Sequence, residues 1–216
     1  MLTCHDHEML RGLSMSTAKS DYFIHPIAIC DSPNIGAGTR IWAFSHILQH
    51  AIIGDNCNIG ENVFIENHAR LGSGCTVKNG VAIWDYVTIE DNVFLGPNMV
   101  FTNDIYPRAF YRGDLYLPTP TRVCHGASIG ANATIVCGVT IGKFALIGLG
   151  TVVTKDVEPH AIVVGNPGRM IGRACICGIR LDREDYCKAC NRRLNENTID
   201  HAIACRKRLE NKSPAS

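Results

Sequence analysis

The sequence predicts an all-β chain wound as a parallel β-helix of three-sided coils, and three columns of residues predict it. An apolar residue returns every six positions from Phe23 to Phe101, 14 times in a row: Phe23, Ile29, Ile35, Ile41, Ile47, Ile53, Ile59, Ile65, Leu71, Val77, Ile83, Ile89, Leu95, Phe101. Four residues after such a hit stands something small or β-branched, as at Thr39, Ser45, Ala51, Cys57, Val63, Ala69, Cys75, Val81, Val87 and Val93. Three residues after it comes a column of Gly38, Asn56, Asn62, Gly74, Gly80, Asn92 and Asn98. A period of six matches neither the 3.6 of a helix nor the two of a half-buried strand. A fixed repeat of this kind is a solenoid signature.

Each hexad reads as one short strand and one corner. The large and the small apolar residues lie two apart, so they share the inner face of the strand. Gly and Asn tolerate positive φ, which a sharp corner demands. Three hexads close a triangular coil, and the Ile and Val columns supply the β-branched, buried surface that parallel pairing requires.

Taken in order, Met1 to Ser20 has no signal-peptide core and reads as a flexible leader. The β-helix is expected over 21–172. Its register breaks after Phe101 and resumes at Val123, Ile129, Ile135, Ile141, Ile147 and Val153, so an excursion of 102–122 leaves the coil. Long loops on rigid scaffolds commonly carry function. This one holds Asn103, Asp104, Tyr106, Arg108, Phe110, Tyr111, Arg112 and Tyr116, and its aromatic side chains predict a packed loop. Val163-Val164-Gly165-Asn166-Pro167-Gly168 closes the solenoid, because Pro167 cannot extend a ladder.

A Cys-rich, partly helical appendage follows over 173–216. Cys175-Ile-Cys177 and Cys187-Lys-Ala-Cys190 form a compact four-thiolate set suited to a closed, structural zinc ion, with free thiols as the alternative. Residues 195–212 read as one polar helix with Ile199, Ile203 and Leu209 on one side and His201 and Cys205 as solvated positions. The remaining buried-column cysteines, Cys57, Cys75 and Cys137, read as core. Eleven cysteines at uneven spacing suit a reducing cytoplasm.

Net charge is +1, divided between a tail from Arg169 onward with 11 Lys+Arg against 6 Asp+Glu and a mildly acidic remainder. That body offers no broad footprint for nucleic acid. No run of 18 apolar residues is present, so no membrane span is expected.

The hexad columns of residues 21–172 resemble those of the left-handed parallel β-helix acyltransferases, and the left-handed sense comes from that resemblance alone. Within that superfamily, several stretches are similar to the bacterial nucleotide-sugar 3-N-acetyltransferases of surface-polysaccharide synthesis. They are Thr39-Arg40-Ile41-Trp42, Val100-Phe101-Thr102-Asn103-Asp104 with Tyr106-Pro107-Arg108, and Gly126-Ala127-Ser128-Ile129-Gly130-Ala131-Asn132-Ala133-Thr134-Ile135-Val136. The ending Val152 to Val157 with Gly165-Asn166-Pro167 is shared more widely. The resemblance is nearest to the UDP-2-acetamido-3-amino-2,3-dideoxy-glucuronate N-acetyltransferases.

The resemblance implies a homotrimer in which acetyl-CoA and a nucleotide-linked amino sugar meet between neighbouring solenoids. Its motif falls on Lys78-Asn79-Gly80-Val81, which gives Asn79 the task of holding the amine or thioester in line. Lys78, Trp84, Asp85, Asn103, Asp104 and Arg108 become candidate substrate contacts, with Arg112 beside them. Other superfamily members use a histidine base; His68 and His46 are best placed, ahead of His50 and His125. Lys155, Arg169 and Arg173 are candidate partners for the cofactor's phosphates.

The substrate alternative is a dTDP-linked 3- or 4-amino-6-deoxyhexose, and a non-enzymatic scaffold with a zinc knuckle is the second. A zinc carbonic anhydrase on this scaffold would need a histidine pair five apart, and no two of the nine histidines have that spacing.

Overall fold

The structure, a computed structural model, describes residues 21–110, 119–196 and 198–210. The expected leader and Arg112 lie outside the described residues. Two-residue strands succeed one another along the chain and stack into three parallel sheets, the faces of a triangular prism. The first face holds Arg40–Ile41, Asn58–Ile59, Thr76–Val77, Phe94–Leu95, Ser128–Ile129 and Leu146–Ile147. The second runs through His46–Ile47, Phe64–Ile65, Ala82–Ile83, Val100–Phe101, Thr134–Ile135 and Val152–Val153. The third takes Ile52–Ile53, Arg70–Leu71, Val87–Ile89, Thr121–Val123 and Thr140–Ile141.

Arg40 pairs with Asn58 and Asn58 with Thr76, so one coil takes 18 residues, three hexads. The inner column from Ile41 to Phe101 and again from Val123 to Ile147 is buried throughout. Cys57 and Cys75 belong to that interior, each thiol donating to a carbonyl of the next coil, Gly72 and Glu90 respectively.

The first coil departs from the expected phase. Phe23 pairs with Arg40 and Ile24 with Ile41, so Ile24 rather than Phe23 faces inward. Likewise Cys30 pairs with Ile47 and packs on the core, while Ile29 is 56% exposed. The hexad between Cys30 and Ile35 is one residue short. A one-residue slip exchanges the two faces of a strand.

All seven expected corner residues have positive φ. Phe44 and Tyr86 do too, at φ 60 and 64. Bulky side chains rarely adopt that backbone, and residues that do so collect at functional sites.

The excursion lengthens one coil, since Val87 pairs with Thr121, 34 residues on. Its two ends are fixed by adjacent amides of the following coil. Cys137 N–H donates to Thr102 Oγ1 and Gly138 N–H to Thr121 Oγ1, both at 3.0 Å. Two of its aromatic side chains do not pack: Tyr106 is 85% and Phe110 89% exposed, while Tyr111 and Tyr116 lie outside the described residues. At Tyr106 and Phe110 the chain has left the prism, and no described residue covers them.

The solenoid ends near Pro167, as expected, but the chain then turns back. Arg169–Arg173 pairs antiparallel with Ala161–Val164. His160 anchors this junction. Its Nδ1 lies 3.0 Å from the Ala174 carbonyl oxygen and its ring stacks on Phe144 at 5.3 Å. Burial holds the His160 pKa below the ordinary histidine value, outweighing the Ala174 carbonyl, which favours the proton. The unfolded chain therefore binds this proton near pH 6.5 while the folded chain resists it. The resulting stability is complete above about pH 6.5 and falls as pH drops from there toward the folded value. Melting followed from pH 7.5 to 5.5 should show this loss, and His160→Asn, which tolerates positive φ, should flatten it.

Candidate active site

The corner between the second and third faces gathers the largest group of candidate residues. Asp85 binds His68 twice: Oδ1 accepts the His68 backbone N–H at 2.8 Å, and Oδ2 lies 3.2 Å from His68 Nδ1. The same corner one coil earlier shows where the arrangement comes from, because Asn67 Oδ1 accepts the His50 N–H there at 3.3 Å. At Asp85 a carboxylate replaces the carboxamide, and its second oxygen reaches the ring. A carboxylate beside Nδ1 favours the tautomer with its proton there and Nε2 as an acceptor, and Nε2 has no partner among the described residues. The strained Tyr86 stacks its ring on His68 at 5.3 Å and 10°. Asp85 N–H is held in turn by Glu66 Oε2 at 2.7 Å.

Above this corner the excursion begins. Ala82 pairs with Val100 and Val87 with Thr121, which sets Thr102–Asp104 over Trp84–Tyr86. Trp84 joins the levels, its indole N–H donating to the Phe101 carbonyl at 2.7 Å. His68 and Asp85 are thus in contact, and the start of the excursion, with Asn103 and Asp104, follows on the next coil of the same corner. Asp104 Oδ1 accepts the Tyr106 N–H at 2.7 Å and Arg108 bonds to the Pro107 carbonyl, so both shape the loop that they belong to.

Asn79 and Lys78 lie on another corner, between Thr76–Val77 of the first face and Ala82–Ile83 of the second. Asn79 Oδ1 accepts the Glu61 N–H at 3.2 Å, leaving the amide NH₂ as a donor on an exposed surface. His46 stands on the second face, its Nε2 at 3.1 Å from Asp31 Oδ2 and its ring edge-on to Phe64. Asp31 contacts His46 through the ring alone, whereas Asp85 also accepts the His68 backbone N–H.

At the end of the solenoid a groove of about 240 Å³ runs between the last coil and the returning strand. Lys155, Arg169, Thr154, Gly168 and Met170 line it. Arg173 does not: at the far end of the same strand it forms an ion pair with Asp185 of the tail.

Comparison with known proteins agrees with this architecture. The family model described as bacterial transferase hexapeptide (six repeats) matches residues 32–67, and that of the hexapeptide repeat of succinyl-transferase matches residues 120–155. A dTDP-3-amino-3,6-dideoxy-alpha-D-galactopyranose 3-N-acetyltransferase of Aneurinibacillus thermoaerophilus is 50% identical over 188 residues, 83% of this chain and 93% of that protein. This chain belongs to the hexapeptide-repeat acyltransferases.

Other relatives agree. The galactoside O-acetyltransferase of Escherichia coli K12 is 31% identical over 126 residues, 52% of this chain and 62% of that protein. A solved galactoside acetyltransferase in complex with coenzyme A superposes with a TM-score of 0.52 at 28% identity, covering 63% of this chain and 68% of that one. The coil is the family's left-handed β-helix, and the enzyme is an acetyltransferase. Among the described residues no helix is long and apolar enough to cross a membrane.

Two contributors to the acetyltransferase's corner were missed in the sequence. Tyr86 occupies a column where Gly or Asn is the rule, and that exception was its signal. Glu66 carries none, because one acidic residue on a coil surface looks like any other.

The tail brings Cys175, Cys177, Cys187 and Cys190 together, all buried, with their sulfurs within 4.8 Å of one another. A 3₁₀ turn, Leu194–Glu196, precedes the helix Ile199–Glu210. The helix turns Ala202 and Cys205 inward, whereas Ile199 and Ile203 are about half exposed. Cys205 is therefore a core residue, not a solvated one. His201 sits in the first turn, its N–H donating to the capping Thr198 Oγ1.

Proposed function

We propose that this enzyme transfers the acetyl group of acetyl-CoA to the 3-amino group of a dTDP-linked 3-amino-3,6-dideoxyhexose. The observation that carries this reading is the 50% identity to a dTDP-3-amino-sugar 3-N-acetyltransferase across 93% of its length. The UDP-linked glucuronate expected from the sequence has no comparable support, and the dTDP alternative takes its place. Without a sugar carboxylate to bind, Arg108 is free to meet the nucleotide diphosphate.

The reaction needs an orienting donor and a proton acceptor. As the neutral amine attacks the thioester carbonyl, a C–N bond forms and negative charge gathers on oxygen. The Asn79 NH₂ is a donor for that oxyanion. The His68 Nε2, fixed by Asp85, accepts the amine's proton and returns it to the CoA thiolate as the C–S bond breaks. Within one chain the two groups occupy different corners. A homotrimer of such prisms places one corner of each chain against another corner of its neighbour, which unites them in a shared cleft. Lys155 and Arg169 offer cations to the phosphates of the donor. The thiol cluster takes no part in this chemistry, and the thiols suit the reducing cytoplasm in which the reaction is placed.

Thiol release from acetyl-CoA, measured against a panel of dTDP- and UDP-amino sugars, tests the reading. Turnover is expected with the dTDP-3-amino sugar and little with the UDP-glucuronate. Free CoA at about 100 times its Kd should raise unfolding stability by about 2.7 kcal/mol. A melting curve indifferent to CoA would leave the scaffold reading in its place.

A further inference from the structure

We propose that Cys175, Cys177, Cys187 and Cys190 bind one zinc ion, and that this ion is the core of the C-terminal unit.

Three independent features converge on it. The first is distance. A zinc tetrathiolate with Zn–S bonds of about 2.3 Å has S···S edges of about 3.8 Å. Here Cys175 and Cys190 lie 3.8 Å apart and Cys177 and Cys187 3.7 Å. Two opposite edges thus have the length of a zinc tetrathiolate, and no two of the four sulfurs are more than 4.8 Å apart.

The second is the poverty of the surrounding core. The residues buried together in this unit are the four cysteines, Leu181, Ala202 and Cys205. Residues 174–210 form a unit of under about 40 residues, a size at which apolar burial alone rarely holds a fold and a metal or disulfides are needed. No disulfide joins these four cysteines to one another. Beyond the four cysteines, only Leu181, Ala202 and Cys205 are buried, with Ile176, Ala189 and Leu194 half-buried against them, a thin core for a hairpin, Tyr186–Cys187 with Arg192–Arg193, and a helix docked on it.

The third is the setting of the sulfurs. Cys187 and Cys190 bracket the hairpin turn, where the Cys190 N–H points at the Cys187 sulfur at 3.4 Å and the Asn191 N–H closes on the Cys187 carbonyl at 2.8 Å. Cys175 and Cys177 sit at a second turn, closed by the Gly178 N–H on the Cys175 carbonyl at 2.8 Å. Backbone N–H groups aimed at sulfur stabilise thiolates and orient ligands. Four thiolates about a divalent ion carry a double negative charge, and the tail from Arg169 onward has 11 basic residues against 6 acidic ones to offset it.

The site is closed. Cys205 is buried beside Cys190 but lies outside the four-sulfur group, so the ion has no open position and its role is structural. It acts on the enzyme through the strand Arg169–Arg173. That strand pairs with the last coil on one side, while the Arg173 carbonyl accepts the Leu181 N–H at 2.8 Å on the other.

The test is metal content of the full chain, purified under reducing conditions without chelator. About one zinc per chain is expected. Cys187→Ser and Cys190→Ser should each reduce zinc at least tenfold, while Cys205→Ser retains it. Should the Ser variants fail to fold, wild-type protein supplies the same answer. Cobalt(II) exchanged into it should give the intense visible and near-ultraviolet bands of a tetrahedral thiolate site. Capping the cysteine sulfurs with an organomercurial, which displaces the zinc, should expose 174–210 to trypsin while the solenoid resists. Wild-type protein that carries no zinc and takes up neither zinc nor cobalt with its thiols reduced overturns the proposal. So does an iron chromophore, or retention of zinc by the folded Cys187→Ser and Cys190→Ser chains.

Discussion

If the chains assemble as the proposed homotrimer, mixtures reassembled from equal amounts of Asn79→Ala and His68→Asn chains should recover about a quarter of wild-type turnover, although each variant alone should be nearly inactive. Removing an oxyanion donor lowers kcat by about 10²–10³. Removing a general base lowers it by about 10²–10⁴. The two groups stand on different corners of one prism, Asn79 bonded to Glu61 and His68 to Asp85. In a shared cleft each therefore comes from a different chain. Random threefold assembly makes about one cleft in four from two intact contributions. Turnover after co-refolding, compared with each variant refolded alone, reads this directly. A mixture no more active than its parents would mean that the two corners never meet. A His68→Asn enzyme with full activity would remove the histidine from the mechanism.

What the sequence made legible was the part that repeats. Hexad spacing announces the strands, the inner column from Ile41 to Ile147 and the Gly/Asn corners, because one physical demand recurs at each coil and chance averages out. What it hid occurs once. The one-residue deficit between Cys30 and Ile35 moves Phe23 and Ile29 outward, yet an apolar residue still stands at each expected position, so composition cannot reveal the slip. The direction of the C-terminal helix was similarly hidden. Ile199 and Ile203 outrank Ala202 and Cys205 in hydrophobicity, but a crowded thiol cluster admits only the smaller pair. At the proposed active corner His68, Trp84 and Asp85 could be named from the sequence, while Tyr86, Glu66 and the bonds among them could not. Asp85 meets His68 only because a coil of 17 or 18 residues sets one above the other. Arg173 lost its expected place in the cofactor groove for the same kind of reason, an ion pair with Asp185 that no spacing rule foretells.

Phe101→Ala should destabilise the enzyme by about 3–5 kcal/mol, the usual cost of deleting a buried aromatic ring. Phe101 is 1% exposed and is the one aromatic among the largest fully buried side chains. It pairs with Ile135 on one side, and its neighbour Val100 pairs with Ala82 on the other, so the ring fills the coil from which the excursion departs. In a solenoid each coil is stabilised by its two neighbours, so a cavity here weakens the junction between the N-terminal and C-terminal stacks. Phe101→Leu, which restores most of the volume, should cost about 1.5 kcal/mol or less. Denaturant melts of the two variants measure the difference. The substitution should also reach the active corner, because the Phe101 carbonyl holds the Trp84 indole and Thr102 follows it into the loop. A higher KM for the sugar nucleotide at temperatures where Phe101→Ala is still folded is therefore expected, with KM for acetyl-CoA changed less. Equal stability of Phe101→Ala and wild type would mean that the excursion coil contributes little to the stack.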